Sequence, residues 1–94
     1  MRAAVMRGDS KEVAELMRQD PAFDVNMDRD GNGGTLLQYA CLGSNRSSVI
    51  PLLLAHPDID VNLKDKIGWT PFCYASGNGF TSCVREMLKD SRVK

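Results

Sequence analysis

At 94 residues the chain is one small domain, and such a length buries only roughly 60–65% of the surface that its unfolded form exposes. Twelve basic and twelve acidic side chains give a formal net charge of zero, which favours neither nucleic acid nor an anionic membrane as a partner. The longest apolar stretch, Val49 to Ala55, contains Pro51 and is too short to span a bilayer, and Met1-Arg2-Ala3-Ala4 runs into Arg7 and Asp9 without a secretory pattern.

In chain order, the first segment begins inside a short helix that Gly8 is expected to end. Asp9-Ser10-Lys11-Glu12 reads as a capping box opening a second helix, with Val13, Leu16 and Met17 on one apolar face. Pro21 stops it, because the residue before a proline avoids helical geometry. Phe23-Asp24-Val25-Asn26 then leads into the turn Asp28 to Gly34, rich in Asp, Asn and Gly. Its calcium-like spacing is set aside: with Asp28 as position one, the twelfth position, where a bidentate Glu belongs, is Tyr39.

The second outer helix contains a conflict at Pro51, which cannot sit deep inside a helix, so this helix is predicted to start late, at Ser47 or Ser48, or to bend. Val49, Leu52 and Leu53 form its predicted buried face, and His56-Pro57-Asp58 ends it. In the third segment Thr70 is a good N-cap and Pro71 a good first helical residue. That helix is predicted from Pro71 to Gly77 or Asn78. Thr81 or Ser82 is expected to cap the last helix, with Cys83, Val84, Met87 and Leu88 facing the core.

These segments repeat. Asp24-Val25-Asn26 recurs 36 residues on as Asp60-Val61-Asn62, and Gly34-Thr35-Leu36-Leu37-Gln38-Tyr39-Ala40 recurs 35 on as Trp69-Thr70-Pro71-Phe72-Cys73-Tyr74-Ala75. Val49 and Leu53 map forward to Val84 and Leu88, and Ala40 maps back to Ala4. The pattern resembles the ankyrin repeat, most closely in Gly68-Trp69-Thr70-Pro71-Phe72-Cys73-Tyr74-Ala75 followed by Gly79, Val84, Met87 and Leu88. The resemblance spans essentially the whole chain. It implies an all-α, ankyrin-like stack of three helix-turn-helix repeats with short β-turn loops, divided near 1–26 (partial), 27–62 and 63–94. The family's His is Gln38 in the second copy and Cys73 in the third, and its Pro is Leu36 in the second. Weaker bracing of the turns is therefore expected.

The resemblance also implies a concave groove of turn tips and inner helices. Carried over residue by residue, it takes Met6 and Arg7, then Asp28, Arg29, Asp30, Asn32 and Leu42, then Lys64, Lys66, Ile67, Trp69 and Asn78. Two readings of Trp69 stay open: a partner contact, or a shield over its neighbouring turn.

No catalytic arrangement is read. The one histidine, His56, lies in a linker, and Cys41, Cys73 and Cys83 lack the close pairing of a zinc site. All three cysteines are taken as small buried hydrophobes with free thiols, in the cytoplasm or nucleus. The glycine-rich turns lack the Lys-Ser/Thr of a phosphate loop. No cofactor or metal is expected.

The reading is a non-catalytic protein–protein interaction module. Its rivals are a spacer within a longer array and the targeting repeats of an enzyme whose catalytic domain lies elsewhere. The chain is expected to be cut from a longer array, leaving an apolar face on the third copy open to weak self-association.

Overall fold

The computed structural model describes residues 2–20, 22, 24–26 and 34–93. Among these, every regular element is helical: α1 (Arg2–Arg7), α2 (Ser10–Gln19), α3 (Leu36–Ala40), a 3-10 helix (Ser44–Val49), α4 (Ile50–Leu54), α5 (Pro71–Gly77) and α6 (Thr81–Leu88). They form three antiparallel pairs. The inner helices α1, α3 and α5 pack side by side in that order, and the outer segments α2, 3-10 helix plus α4, and α6 pack behind them. The all-α stack implied by the resemblance is therefore the fold.

One core runs through all three pairs, with Val5, Val13, Leu36, Leu37, Ile50, Leu53, Ala75 and Met87 fully buried. Each of the larger aliphatic side chains contributes ~1.5–3 kcal/mol by leaving water. Ala4, Ala40 and Ala75 occupy equivalent positions and are all buried, because a larger side chain would hold the helices apart.

The first link between helices shows why glycine is needed. Gly8 has φ +69°, so the chain reverses within one residue and the Asp9 N–H reaches back to the Ala4 carbonyl at 3.1 Å. Asp9 then caps α2 by accepting from the Glu12 N–H at 3.0 Å. The predicted capping box stays half-formed. The Asp9 N–H is already taken by Ala4, and the Glu12 carboxylate pairs with Arg7 instead. The third pair repeats the reversal at Gly79, also φ +69°, with the Phe80 N–H on the Ala75 carbonyl at 3.0 Å. Phe80 stands at the position of Asp9, so α6 starts without a side-chain cap; neither Thr81 nor Ser82 serves, contrary to expectation.

The second pair solves the same turn differently. Ser44 falls where Gly8 and Gly79 fall, and no non-glycine residue described here adopts positive φ. The backbone winds instead into the 3-10 helix, and α4 begins only at Ile50, later than the predicted Ser47 or Ser48. Pro51 thereby lies in the first turn of α4, where a missing N–H costs no helical hydrogen bond. Ile50, absent from the predicted buried face, is fully buried, whereas Leu52 is only half-buried.

Polar side chains tie successive pairs together. Arg46 donates from Nε to the Met6 carbonyl and from Nη1 to the Tyr39 carbonyl, each at 2.9 Å, closing the ends of α1 and α3. The Ser48 hydroxyl donates to the Gly8 carbonyl at 3.4 Å. Cys83, 35 residues on, leans its thiol on the Ala40 and Gly43 carbonyls at 3.6 and 3.5 Å. Asn26 donates to the Asp58 carbonyl at 2.7 Å and accepts from the Asp60 N–H at 2.8 Å. Asn62 repeats the donation, to the Arg92 carbonyl at 2.9 Å. The Val-Asn repeats are thus staples from one linker to the next.

Two glycines test this account. Gly79→Ala meets no atom within 4 Å and should cost only the left-handed backbone penalty, ~1–2 kcal/mol. At Gly8 an added Cβ would lie 2.4 Å from the Asn45 carbonyl oxygen, so Gly8→Ala should add ~1–3 kcal/mol of overpacking. Equal losses in urea titrations of the two variants would refute the packing of α1 on the 3-10 helix.

The last linker holds an ion pair, Asp90 with Arg92, that acid should weaken. Hydrogen bonds from the Arg92 side chain, then its backbone N–H, hold the Asp90 carboxyl down to about 2. A carboxyl with a lowered pKa stabilises the fold above its unfolded value, near ~3.9, and loses that contribution as pH falls through the folded one. Asp90→Asn should therefore lower the melting midpoint at pH 7 and flatten its decline between about pH 4 and pH 2.

Candidate functional site

The surface of interest begins at a single carboxylate. Asp65 accepts from the Ile67 N–H at 3.1 Å and the Trp69 N–H at 3.0 Å through Oδ1, and from the Tyr74 hydroxyl through Oδ2. Its own N–H donates to the Trp69 carbonyl at 3.0 Å, and its carbonyl accepts from the Gly68 N–H at 3.0 Å. Gly68, with φ +84°, supplies the reversal. Asp65 thus holds the turn together from inside, while Lys64, Lys66 and Ile67 are exposed at its tip, Ile67 at 70%.

Gln38 holds the same turn from the preceding pair. This buried amide accepts from the Thr35 N–H at 3.0 Å, closing the capping box of α3, and donates to the Trp69 carbonyl at 2.9 Å and the Leu63 carbonyl at 3.4 Å. The weaker bracing expected from the lost His is not found here. An amide carries donor and acceptor on one head, so it closes its own helix and grasps both ends of the next turn. Cys73, the equivalent residue of the third pair, accepts only locally, from the Thr70 hydroxyl at 3.2 Å and, through the Thr70 side chain, shares the cap of α5.

Trp69 lies where the turn enters α5. Its ring packs on Tyr74, with centroids 5.1 Å apart and planes tilted by 51°. Its outer ring edge also lies over Gly77, where an added Cβ would come within 3.4 Å of Cζ3. This placement extends a row. Met6, Leu42 and Gly77 are equivalent positions on successive inner segments, and the third has no side chain. The Trp69 indole covers that gap, so Met6, Leu42 and Trp69 form one apolar row across α1, α3 and α5, exposed by 42, 39 and 41%. The shielding reading holds for one side of the ring, which covers its turn and helix, and the other side faces solvent.

The remaining groove positions are less free. The Arg7 guanidinium pairs with Glu12, which raises its pKa. Asn78 closes the end of α5 by donating from Nδ2 to the Tyr74 carbonyl at 2.8 Å. Asp28, Arg29, Asp30 and Asn32 lie outside the described residues, as does the calcium-like turn they belong to. Sequence reasoning missed Asp65 and Gly77, and it placed Gln38 at the position of the family's bracing His while expecting it to brace less well. Asp65 was legible only as a polar residue in a turn, and Gly77 only as a gap at the register of Met6 and Leu42.

Two further expectations fail. Leu88 is 62% exposed rather than in the core, because α6 has no outer neighbour on that side among the described residues. The cysteines are all free, but only Cys41 and Cys83 are buried; Cys73 is exposed. Burial pushes the Cys41 and Cys83 thiols up. Hydrogen bonds from the Thr70 hydroxyl, then backbone N–H groups and the nearby Lys64 charge, bring the Cys73 thiol down. Among the described residues no three His, Cys, Asp or Glu side chains are grouped to hold a metal ion, and no helix is long and apolar enough to cross a membrane.

The pairs, staples and turns define a class, and the chain belongs to it: a family model described as ankyrin repeats (3 copies) matches residues 1–94. Repeats of this family are protein–protein interaction modules. Among individual proteins, the chain is 46% identical over 57 residues to the human SMC5-SMC6 complex localization factor protein 1, and to its Bos taurus counterpart. It is 39% identical over 54 residues to human Rabankyrin-5. These stretches cover 61% and 56% of this chain but only 5% and 4% of the relatives, so the chain spans a small part of the proteins it resembles.

Cys73 should be the one thiol that reacts in the folded protein. Iodoacetamide followed by mass spectrometry should label Cys73 alone, with Cys41 and Cys83 labelled only in denaturant. Because its pKa is lowered, the rate at Cys73 should rise at lower pH in the folded chain than in the unfolded one.

Proposed function

We propose that this chain is a non-catalytic module that binds a protein partner through the apolar row Met6, Leu42 and Trp69, flanked by Ile67, Lys64 and Lys66 at the turn tip. The observation that carries this reading is the support under Trp69. Asp65, Gln38, Tyr74 and Gly77 fix the backbone and ring in one position while the indole stays 41% exposed. A large aromatic held rigid before contact loses little entropy on binding, which is the condition under which tryptophan becomes an interface anchor. The row draws one side chain from each pair, so the repeat divisions 1–26, 27–62 and 63–94 each contribute to it.

The family and the relatives support the same reading. One relative is named as a localization factor of the SMC5-SMC6 complex, a role that suits a binding module better than a catalyst. Free thiols suit the cytoplasm or nucleus, where we place the chain.

The test is affinity capture from the native source, followed by titration of a captured protein with wild type, Trp69→Ala and Leu42→Ser. Each substitution should weaken binding by about tenfold or more, ~1.4 kcal/mol, while the helical circular dichroism is preserved. Unchanged affinity for both variants would leave Trp69 as a shield for its own turn and defeat the proposal.

A further inference from the structure

The outer helices can be compared by register. On α2 and α6 the outward positions carry ion pairs one turn apart, Glu15 with Arg18 and Glu86 with Lys89, as a solvated helix face does. The equivalent positions of α4 are Pro51 and Leu54. Pro51 has a local reason, since it lies in the first turn of α4. Leu54 packs partly on the core but stands where both neighbouring helices carry a cation. With Leu52 and Ala55 these residues give α4 an apolar outer surface, Pro51 and Ala55 exposed and the two leucines half-buried. A hollow lies on each side of it. One, of about 250 Å³, has Pro51, Leu54 and Ala55 facing Glu86 and Lys89 of α6. The other, of about 370 Å³, has Met17 of α2 facing Leu52, Ala55, Pro57 and Asp58. Ala55 lines both, so the two meet on α4.

The linker end of the larger hollow is acidic. The Asn26 N–H donates to Asp24 Oδ1 at 2.9 Å, its Nδ2 donates to the Asp58 carbonyl at 2.7 Å, and its Oδ1 accepts from the Asp60 N–H at 2.8 Å. One asparagine thereby gathers three exposed aspartates at the mouth of the hollow that Asp58 lines. Among the described residues none of these three carboxylates forms an ion pair. The acids beside the smaller hollow are matched, Glu86 by Lys89 and Asp90 by Arg92.

We propose that this outer surface docks a segment of a protein partner that sets apolar side chains into the two hollows and Lys or Arg beside Asp24, Asp58 and Asp60. The charge selects this occupant. Carboxylates held side by side without a counter-charge repel one another, and a cation placed among them relieves the repulsion, more strongly beside an apolar surface that excludes water. An acidic segment would add to the repulsion instead. The apolar strip alone would accept any hydrophobe and the acids alone any cation; side by side they select both in one segment. The surface is on the outer helices, away from the inner row of Met6, Leu42 and Trp69, and does not depend on the function proposed for that row.

The experiment is a selection of displayed random peptides on the immobilised 94-residue chain, with Ala55→Arg as the parallel bait. Peptides enriched on the wild type and lost on the variant should combine Leu, Ile, Met or Phe with Lys or Arg. Such a peptide, synthesised and titrated, should bind about tenfold or more weakly to Ala55→Arg, which places a cation where the hollows meet, and to Asp58→Lys, and its affinity for the wild type should fall with added salt. Both substituted residues are exposed, so circular dichroism and melting midpoint should stay those of the wild type. Trp69→Ala should bind the peptide unchanged. The proposal is overturned if no enriched class depends on Ala55, if that class lacks cations, or if Asp58→Lys binds it as well as the wild type does. It is also overturned if Trp69→Ala loses the peptide while Ala55→Arg keeps it. A concentration-dependent dimer of the chain in sedimentation that Ala55→Arg abolishes would do the same, since the surface then belongs to a second copy.

Discussion

The buried amide of Gln38 joins a helix to a turn that lies 25 and 31 residues further along the chain. A buried amide left without partners would cost roughly 1–3 kcal/mol, so its three hydrogen bonds fix where the next turn can lie. That turn in turn places Trp69, and Trp69 completes the apolar row begun by Met6 and Leu42. Asn26 and Asn62 act in the same way at the other edge of the stack, one linker to the next. A small domain with a thin core gains much of its uniqueness from such contacts, because apolar packing alone permits the pairs to slide.

The three pairs reach one shape by different local chemistry. Gly8 and Gly79 turn the chain through positive φ, whereas Ser44 does not, and the second pair takes a 3-10 helix in place of the tight link. The exchange removes the conflict at Pro51, which comes to rest in the first turn of α4. Arg46 from the 3-10 helix then reaches the ends of both α1 and α3, and Ser48 and Cys83 use different atoms for the same lean on the preceding pair. The repeat fixes a set of positions, and residues of unlike chemistry satisfy them.

Surface and interior separate the cysteines, which the sequence could not. Cys41 and Cys83 sit between pairs and behave as small apolar groups, their ionisation suppressed by burial. Cys73 stands at the register of Gln38 but on the open end of the stack, where water and the Thr70 hydroxyl reach it. Leu88 follows the same rule: its amino acid type is that of buried Leu53, and it is exposed because no neighbour among the described residues lies on its side.

The sequence by itself determined the period, the family, the helix–turn–helix order and the helix limits set by local chemistry. Gly8, Asp9, Thr35, Thr70 and Pro71 act within one turn of the chain, so their meaning travels with their neighbours in sequence. It also named Met6, Leu42, Ile67 and Trp69 as surface candidates, through the family resemblance. The tertiary structure alone decided that Gln38 braces a turn in the next pair, that Asp65 faces inward, and that Trp69 lies over Gly77 to complete a row. It alone exposed Leu88 and Cys73 and moved the start of α4 to Ile50. Each of these depends on what lies across a gap of many residues: an acceptor, a missing side chain or a missing neighbour. Local periodicity carries no record of such partners, because burial and hydrogen bonding are properties of the space around a residue and only the packed stack defines that space.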